Sequence, residues 1–408
     1  MTARMRIIIS CCIVYFSVGI TNGALGPLLP EVARRTGLEL SQAGLVFSAL
    51  FIGGVLSRTI AGIISDRWGA LPVLLEGIII QGAANVAMSM SVSAPALLVS
   101  AFFLGTATGA GLLGAVLLAA KLFPERSVTM VNVVNVFYGG GAFAGPALFS
   151  GSSLLVHSGI PVLWIAAILA LSQLPVLFRA DSRQASSAVH GSAGSGGAAI
   201  GLHPTGLLGG LSIMRLLPFW LFGFVLLFDV GVESTIGGWS AVYLRQSTAI
   251  SIQAAALVVS GFYACFTIGR AVAAGAGSRI PSAFIVGIAV ATTFAGTGIV
   301  VLSTGHVAWS VAGFLLAGLG IGPVYPTFTA LVGRAFGERA GTAIGLTGSI
   351  GFFGGVAFPW LAGVLMARSG PAASMRLVLA VVLIISVLAY LSITASRSGR
   401  VTREALRK

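Results

Sequence analysis

The sequence predicts an all-α membrane protein with twelve transmembrane helices in two pseudo-symmetric six-helix bundles. Three observations support this fold class. Hydrophobic residues make up 57% of the 408 residues and charged residues only 8%, whereas soluble domains carry about 25% charged residues. Apolar runs long enough to cross about 30 Å of hydrocarbon recur along the whole chain. Segments of the first half also return in the second half, which indicates a duplicated helical bundle.

Hydrophobicity alone places six spans in each half. The predicted spans are residues 7–30, 42–65, 71–92, 95–120, 128–150, 159–179, 216–243, 253–276, 281–303, 306–332, 341–366 and 375–395. A Ser-, Gly- and Ala-rich stretch between spans six and seven is typical of a flexible linker. The predicted domains are therefore an N-terminal bundle (1–180), a cytoplasmic linker (181–211), a C-terminal bundle (212–396) and a basic cytoplasmic tail (397–408).

The repeat is clearest in a charged heptapeptide. Lys121–Ser127 reappears, slightly altered, as Arg334–Ala340, a shift of 213 positions. Shifts of 212 or 213 also relate five pairs: Gly105 and Gly318, Gly109 and Gly322, Pro146 and Pro359, Arg58 and Arg270, and Arg67 and Arg279. Many secondary transporters consist of two such repeats with a solute site between them. We therefore expect a site near the bilayer midplane, between residues 1–180 and 212–396.

The distribution of basic residues predicts the topology. The net charge is +13, and sixteen of the 23 Lys and Arg fall in segments that are cytoplasmic if the N-terminus is inside. Five fall outside (Arg34, Arg35, Arg245, Arg368 and Arg376), and two lie within spans. This bias predicts a multi-pass protein of the cell (inner) membrane with both termini in the cytoplasm. We therefore expect the basic residues to contact the lipid bilayer and not nucleic acid. We also expect a monomer.

Nothing in the sequence predicts an enzyme, a metal site or a cofactor. Cys11, Cys12 and Cys265 fall within spans and lack metal or redox spacing. The four histidines are scattered. No nucleophile–base pair or phosphate-binding loop is present in the sequence.

A short motif after the second span carries a family resemblance. Gly62-Ile-Ile-Ser-Asp66-Arg67-Trp-Gly69 resembles the signature of the major facilitator superfamily, which lies in the loop between spans two and three. The resemblance implies the major facilitator fold and a cytoplasmic latch. In it, Gly62 allows close helix approach, Asp66 faces a helix N-terminus, and Arg67 pairs across the cytoplasmic face. Ala70-Leu71 replaces the usual basic pair. The same gate is assigned the loop charges Glu125, Arg126, Glu338 and Arg339.

Three segments are similar to the hexose and fucose permease branch of that superfamily. They are Phe228–Leu244 in span seven, Phe137–Pro146 in span five, and Gly269-Arg270 in span eight. This resemblance implies a sugar or a similar polyol as the solute. Proton-coupled members of the branch place an acid in span one and another in span four. The matching stretches here, Gly19–Pro27 and Gly105–Gly114, contain none, so that proton chemistry does not carry over.

Two intramembrane carboxylates are candidates for chemistry. Asp229 and Glu233 stand one helical turn apart on span seven, so they share a helix face. Carboxylates this close in a low dielectric tend to share a proton. We assign Asp229 and Glu233 to proton coupling, with Glu233 also a candidate solute ligand. The alternative is that Glu233 bonds to a broken helix at Gly237-Gly238 and only shapes it.

Two intramembrane arginines, Arg58 and Arg270, occupy equivalent positions in the repeats. One interpretation is that they neutralise an anionic solute near the midplane. The preferred interpretation is that each side chain reaches toward the cytoplasm and pairs with Glu125 or Glu338. Glu76 is interpreted as a partner at the cytoplasmic end of span three.

Neutral polar and aromatic groups complete the predicted site. With Glu233, the candidate solute-binding residues are Asn22, Asn132, Asn135, Trp239, Tyr263 and Tyr325. Amides and aromatic faces suit a hydroxylated ring, whose edge forms hydrogen bonds and whose face stacks. The alternative for each residue is an interhelical hydrogen bond.

The sequence thus predicts a secondary transporter that moves a small, sugar-like polar solute by alternating access. Whether protons drive it stays open. The first alternative is an exporter of amphipathic compounds or drugs, because the coupling acids are missing and span four is largely apolar. A non-transporting membrane sensor is the second alternative, although no signalling domain is recognisable in this sequence.

Overall fold

The computed structural model describes residues 3–179, 213–277, 279–303, 305–337 and 340–397. All regular secondary structure in these ranges is helical. The helices up to residue 179 are α1 (Ala3–Thr36), α2 (Leu40–Ala43), α3 (Leu45–Trp68), α4 (Ala70–Met90), α5 (Ala94–Leu122), α6 (Ser127–Val156), α7 (Pro161–Leu171) and α8 (Leu174–Arg179), with a 3-10 turn at Pro124–Arg126. The helices after residue 213 are α9 (Leu217–Ser247), α10 (Ile252–Ala276), α11 (Ser282–Leu302), α12 (Val307–Ile321), α13 (Val324–Phe336), α14 (Ala340–Ser369) and α15 (Pro371–Arg397).

Eleven helical stretches in the described ranges are long and apolar enough to cross a membrane. They correspond to eleven of the twelve predicted spans. Two of them contain a pair of helices each, α7 with α8 and α12 with α13. The predicted fifth span forms α6, which has 30 residues. This helix contains Asn132, Asn135 and the three glycines at 139–141.

Contacts divide the helices into two compact units. The first contains α1–α8 and residues Ser251–Ser260 at the start of α10. The second contains α9, the rest of α10 and α11–α15. The sequence-derived domain boundaries assign all of α10 to the C-terminal bundle, and they stay a prediction. The predicted linker and basic tail lie outside the described residues.

In the first unit, α5 packs on α3 through glycines without intervening side chains. A Cβ atom on Gly105 would overlap the carbonyl oxygen of Leu50. One on Gly109 would lie 2.7 Å from the carbonyl oxygen of Gly54. Because backbones approach this closely only where a side chain is absent, the two glycines fix the contact between these helices.

The second unit repeats this contact between α12 and α10. A Cβ on Gly318 would lie 2.5 Å from the carbonyl oxygen of Phe262, and one on Gly322 would overlap the carbonyl oxygen of Phe266. Phe262 and Phe266 follow Leu50 and Gly54 by 212 positions, the shift that relates Arg58 to Arg270. The duplication inferred from the sequence is therefore present in the packing.

A second repeated contact joins the first and fifth spans of each half. Gly141 of α6 lies against the Phe16 carbonyl and the Ile20 amide of α1. Gly354 of α14 lies in the same way against the Leu227 carbonyl and the Gly231 amide of α9. Ile20 and Gly231 are thus structural equivalents. Asn22 and Glu233, each two residues further on, are equivalents as well.

One local alternative, a broken helix at Gly237-Gly238, is wrong. The helix α9 runs without interruption through Gly237-Gly238, so Glu233 does not shape a helix break there. In a membrane every backbone group must be bonded internally, and a continuous helix achieves this despite two glycines. A Cβ on Gly62 would meet no described atom within 4 Å, and the close helix approach expected of Gly62 in the latch stays a prediction.

Candidate functional site

The charged centre of the second unit is Arg270, which lies on α10 and is half-buried. Its Nε donates a hydrogen bond to the Gly322 carbonyl oxygen at 3.0 Å. Its guanidinium carbon lies 4.1 Å from the centroid of the Phe266 ring. Within the described ranges, no residue accepts a hydrogen bond from its two terminal nitrogens. One edge and one face of the guanidinium are therefore held by the protein, and none of the described residues occupies the terminal fork.

Two carboxyl groups on α9 belong to the same charged centre. Asp229 is 1% exposed, and its Oδ1 has no hydrogen-bond partner among the described residues. Glu233 is half-buried. Both carboxyl groups interact electrostatically with Arg270, and Asp229 also with Glu233. No hydrogen bond among the described residues joins the three. Each ionisable group is costly so deep in a transmembrane unit, and the three together are therefore a candidate functional site.

Phe266, whose ring lies against Arg270, belongs to an aromatic cluster of α10. The rings of Tyr263 and Phe266 meet edge to face, with centroids 6.2 Å apart and planes at 78°. The ring of Phe262 lies 6.2 Å from that of Phe266. The Tyr263 hydroxyl lies against Gly237 of α9, where a Cβ would overlap it. The second unit thus combines an open guanidinium edge with aromatic rings.

Three predicted solute ligands lie in the first unit. Asn22 on α1 is half-buried, and its Nδ2 donates to the Tyr138 hydroxyl at 3.2 Å. Its Oδ1 is buried and has no partner among the described residues. Asn132 and Asn135 are exposed on α6, and Asn135 Nδ2 donates to the Val131 carbonyl at 2.9 Å. The structure therefore pairs Asn22 with Tyr138 and leaves Asn132 and Asn135 on the helix surface.

The other predicted ligands differ in how available they are. Trp239 is 0% exposed, and its indole N–H donates to the Pro359 carbonyl at 2.8 Å. Its polar group is thus used in packing α9 against α14, and it offers no surface to a solute in this structure. Tyr325 is half-buried on α13. Its hydroxyl would lie 3.3 Å from a Cβ on Gly348 of α14.

The predicted gate is described only in part. Arg67, Glu125 and Arg126 are exposed at or beside helix ends. Glu338, Arg339 and the side chain of Asp66 lie outside the described residues, and so does the predicted pairing of Arg270 with Glu338. Glu76 is exposed on α4. Arg58 is half-buried on α3 and interacts electrostatically with Tyr15.

Sequence reasoning missed two groups that hold Arg270. Phe266 precedes Arg270 by four residues on the same helix, a spacing that brings side chains together. Gly322 was recognised as a repeated glycine but not as a hydrogen-bond acceptor. The available signal was Pro326, four residues after Gly322, because a proline cannot donate to the Gly322 carbonyl.

Comparison with known families shows which family the chain belongs to. The family model described as "Major Facilitator Superfamily" matches residues 11–359, which is most of the chain. The chain belongs to the Major Facilitator Superfamily. It is therefore a multi-pass membrane transport protein and not an enzyme.

Relatives in this superfamily include transporters of aromatic acids. The chain is 29% identical over 175 residues to the 4-hydroxybenzoate transporter PcaK of Pseudomonas putida, covering 41% of the chain and 39% of the relative. It is 24% identical over 183 residues to the 3-(3-hydroxy-phenyl)propionate transporter of Escherichia coli (strain K12), covering 44% of each. The aligned stretch spans about two fifths of the length of these curated relatives.

The solved structure of a mutant of the nucleoside transporter NupG is similar over nearly the whole chain. It covers 96% of this chain and 99% of its own, with a TM-score of 0.75 and 14% identity. A match of this kind confirms the predicted superfamily fold and says nothing about the solute. The predicted hexose and fucose branch is not supported by the relatives, which are named for aromatic acids.

Proposed function

We propose that this protein is a secondary transporter of small aromatic carboxylates and that Arg270 anchors the carboxylate. The carrying observation is the state of its guanidinium. Nε is bonded to Gly322 and one face covers Phe266, while no described residue accepts from the terminal nitrogens. Two parallel N–H groups match the two oxygens of a carboxylate.

The aromatic rings beside Arg270 favour an aromatic solute. Phe266 is 3% exposed, and Tyr263, which packs edge to face on it, keeps 7% of its surface exposed. A solute ring that meets this exposed part of Tyr263 gains up to about 0.5–1.5 kcal/mol beyond its buried area. The names of the relatives point to the same chemistry, since both are named for hydroxylated aromatic acids.

The charges of the second unit favour proton coupling. The positive charge of Arg270 balances the negative charge of one ionised carboxyl group. The three groups are therefore neutral overall when the other carboxyl group of the Asp229–Glu233 pair carries a proton. A bound solute anion adds one negative charge, which favours protonation of the second carboxyl. Asp229 is buried and Glu233 half-buried, so we assign proton exchange with water to Glu233.

The sugar-like solute predicted from the sequence stays a second candidate. The exposed amides of Asn132 and Asn135 on α6 favour it, because such groups bind hydroxyls. The direction of transport also stays open, so export of amphipathic compounds stays an alternative. We propose a monomer in the cell membrane with both termini in the cytoplasm, as the basic residues predict.

A ligand screen with purified protein separates these solutes. We expect 4-hydroxybenzoate to raise the unfolding temperature, because saturation at one hundred times Kd adds about 2.7 kcal/mol to the stability of the folded state. The neutral 4-hydroxybenzamide should bind at least about tenfold more weakly, since one charged hydrogen bond contributes about 1.5–3 kcal/mol. D-Xylose and D-glucose should give no shift.

The variant Arg270→Gln tests the anchor, and Arg58→Gln is its matched control from the other repeat. We expect Arg270→Gln to abolish the preference for carboxylate over amide, and Arg58→Gln to retain it. If sugars stabilise the protein and 4-hydroxybenzoate does not, the sugar-like solute replaces this proposal.

A further inference from the structure

The hydrogen bond that holds Arg270 depends on an unusual backbone carbonyl. In an α-helix the carbonyl of residue i accepts from the amide of residue i+4. Gly322 (φ −51°, ψ −46°) and Pro323 (φ −70°, ψ −19°) both have helical dihedral angles between α12 and α13. The amide that would reach the Gly322 carbonyl belongs to residue 326. That residue is Pro326, which has no N–H.

Close packing of α10 brings Arg270 to this carbonyl. A Cβ on Gly322 would overlap the Phe266 carbonyl, and a Cβ on Gly269 would overlap the Leu319 carbonyl. With the two backbones in contact, Arg270 reaches Gly322 through Nε. An arginine that uses Nε in this way keeps its two terminal nitrogens for another partner.

The orientation of a planar guanidinium is fixed by two contacts that are not parallel. One is the in-plane bond from Nε to Gly322, and the other is the Phe266 ring below the plane. A group held in this way binds a carboxylate without first losing rotational freedom, which improves affinity.

We propose that Pro326 is a positioning residue for the solute anchor. Because Pro326 donates no N–H, it reserves the Gly322 carbonyl for Arg270 Nε and so keeps the terminal nitrogens of Arg270 available to a carboxylate. The inference rests on the proposed function, and it adds a residue that touches neither the solute nor Arg270's terminal nitrogens.

Pro323 provides a matched control three residues away. It stands four residues after Leu319 and removes the helical donor to the Leu319 carbonyl. That carbonyl lies against Gly269 and accepts no hydrogen bond from Arg270. Pro323→Ala therefore restores a backbone N–H to the same joint without competing for the Gly322 carbonyl.

The test compares Pro326→Ala, Pro323→Ala and Arg270→Gln in the full-length protein. Binding of 4-hydroxybenzoate and of 4-hydroxybenzamide is measured by competition, and KM and the maximal rate by uptake into proteoliposomes. We expect Pro326→Ala to weaken carboxylate binding about three- to tenfold. Amide binding and the maximal rate should be retained, and Pro323→Ala should keep the carboxylate-to-amide ratio of the wild type.

Three outcomes would overturn the role of Pro326: an unchanged ratio in Pro326→Ala, an equal loss of both ligands, or the same change of ratio in Pro323→Ala. In each of these cases the proposed function still stands if the wild type prefers the carboxylate and Arg270→Gln loses that preference. A wild type without any preference for the carboxylate removes both proposals.

Discussion

Arg58 and Arg270 are equivalent by sequence and lie in similarly packed helices, yet their surroundings differ. Four residues before Arg270 stands Phe266, whose ring lies under the guanidinium. Four residues before Arg58 stands Gly54, which has no side chain to offer. The Phe266 ring contact therefore has no counterpart at the equivalent position of the first repeat, Gly54.

The second contact differs for a backbone reason. Gly109, the equivalent of Gly322, lies within the uninterrupted helix α5, and its helical donor is Leu113. The equivalent of Leu113 is Pro326, which cannot donate. A single proline thus distinguishes a carbonyl used inside a helix from one that binds a side chain of another helix.

Acidic residues show the same asymmetry. The packing of α1 on α6 and of α9 on α14 makes Asn22 the equivalent of Glu233 and Val18 the equivalent of Asp229. The glycine contacts occur in both halves, whereas the two acids occur only in the second. Packing constrains both copies equally, whereas an ionic site is needed only once, so differences between the repeats point to function.

The largest effect should come from breaking what the repeats share. We expect Gly105→Val and Gly318→Val each to abolish folding, because the new side chain overlaps the backbone of the neighbouring helix. The measurement is the fraction of monodisperse protein after size-exclusion chromatography. Gly298→Val is the control, since a Cβ there meets no atom within 4 Å. A well-folded Gly318→Val alone would mean that the second contact is not equivalent.

The next effect concerns the acids, which only the second unit has at these positions. Glu233→Gln keeps size and hydrogen-bonding capacity and removes the titration. If Glu233 exchanges the proton, gradient-driven accumulation of 4-hydroxybenzoate in proteoliposomes falls at least about tenfold, while solute exchange survives. Glu76→Gln, an exposed acid on α4, should behave as wild type. Loss of accumulation and exchange together would assign Glu233 to solute binding, and wild-type behaviour would leave it structural.

A smaller effect is expected from making the second repeat resemble the first at Phe266. Phe266→Leu fills the space but removes the aromatic face, which costs a partly desolvated guanidinium about 0.5–2 kcal/mol. Affinity for 4-hydroxybenzoate should fall about two- to thirtyfold in isothermal titration calorimetry, as that free energy implies. Phe262→Leu, one turn away in the same ring cluster, should leave affinity unchanged. Equal losses in both variants would point to general repacking and against support of Arg270.

The smallest effect should come from Trp239, which the sequence predicts to bind solute. Trp239→Phe removes the hydrogen bond to Pro359 and should destabilise the protein by about 1 kcal/mol. Affinity for solute should not change. Both quantities come from thermal unfolding with and without ligand. A loss of affinity at unchanged stability would restore Trp239 to the binding site.

Hydrophobicity predicted the spans well because a bilayer requires about 20 apolar residues per helix and leaves little freedom. It could not reveal which face of a span meets solute. Trp239 and Asn135 looked equally suited to a binding site, but one is buried against α14 and the other is exposed. The position of a residue along a helix determines the helix face on which its side chain lies. What that face contacts depends on tertiary packing.

Backbone effects were the hardest to anticipate. Gly237-Gly238 suggested a broken helix, yet α9 continues because membrane burial demands its hydrogen bonds. At Gly322 the opposite holds, since a proline four residues later frees a carbonyl that a side chain then uses. Glycine content alone did not separate these cases. The proline four residues after Gly322, Pro326, did.

The asparagines and glycines of α6 have a consequence for biogenesis. Insertion machinery tests each hydrophobic segment as it leaves the ribosome, and asparagines and glycines count against entry into lipid. The helix α6 carries both kinds of residue, and its Gly141 and Gly145 lie against the backbone of α1. The helix α1, which is synthesised before α6, is thus the natural docking partner of α6. We expect α1 to act as an intramolecular chaperone that retains α6 in the bilayer until the bundle closes.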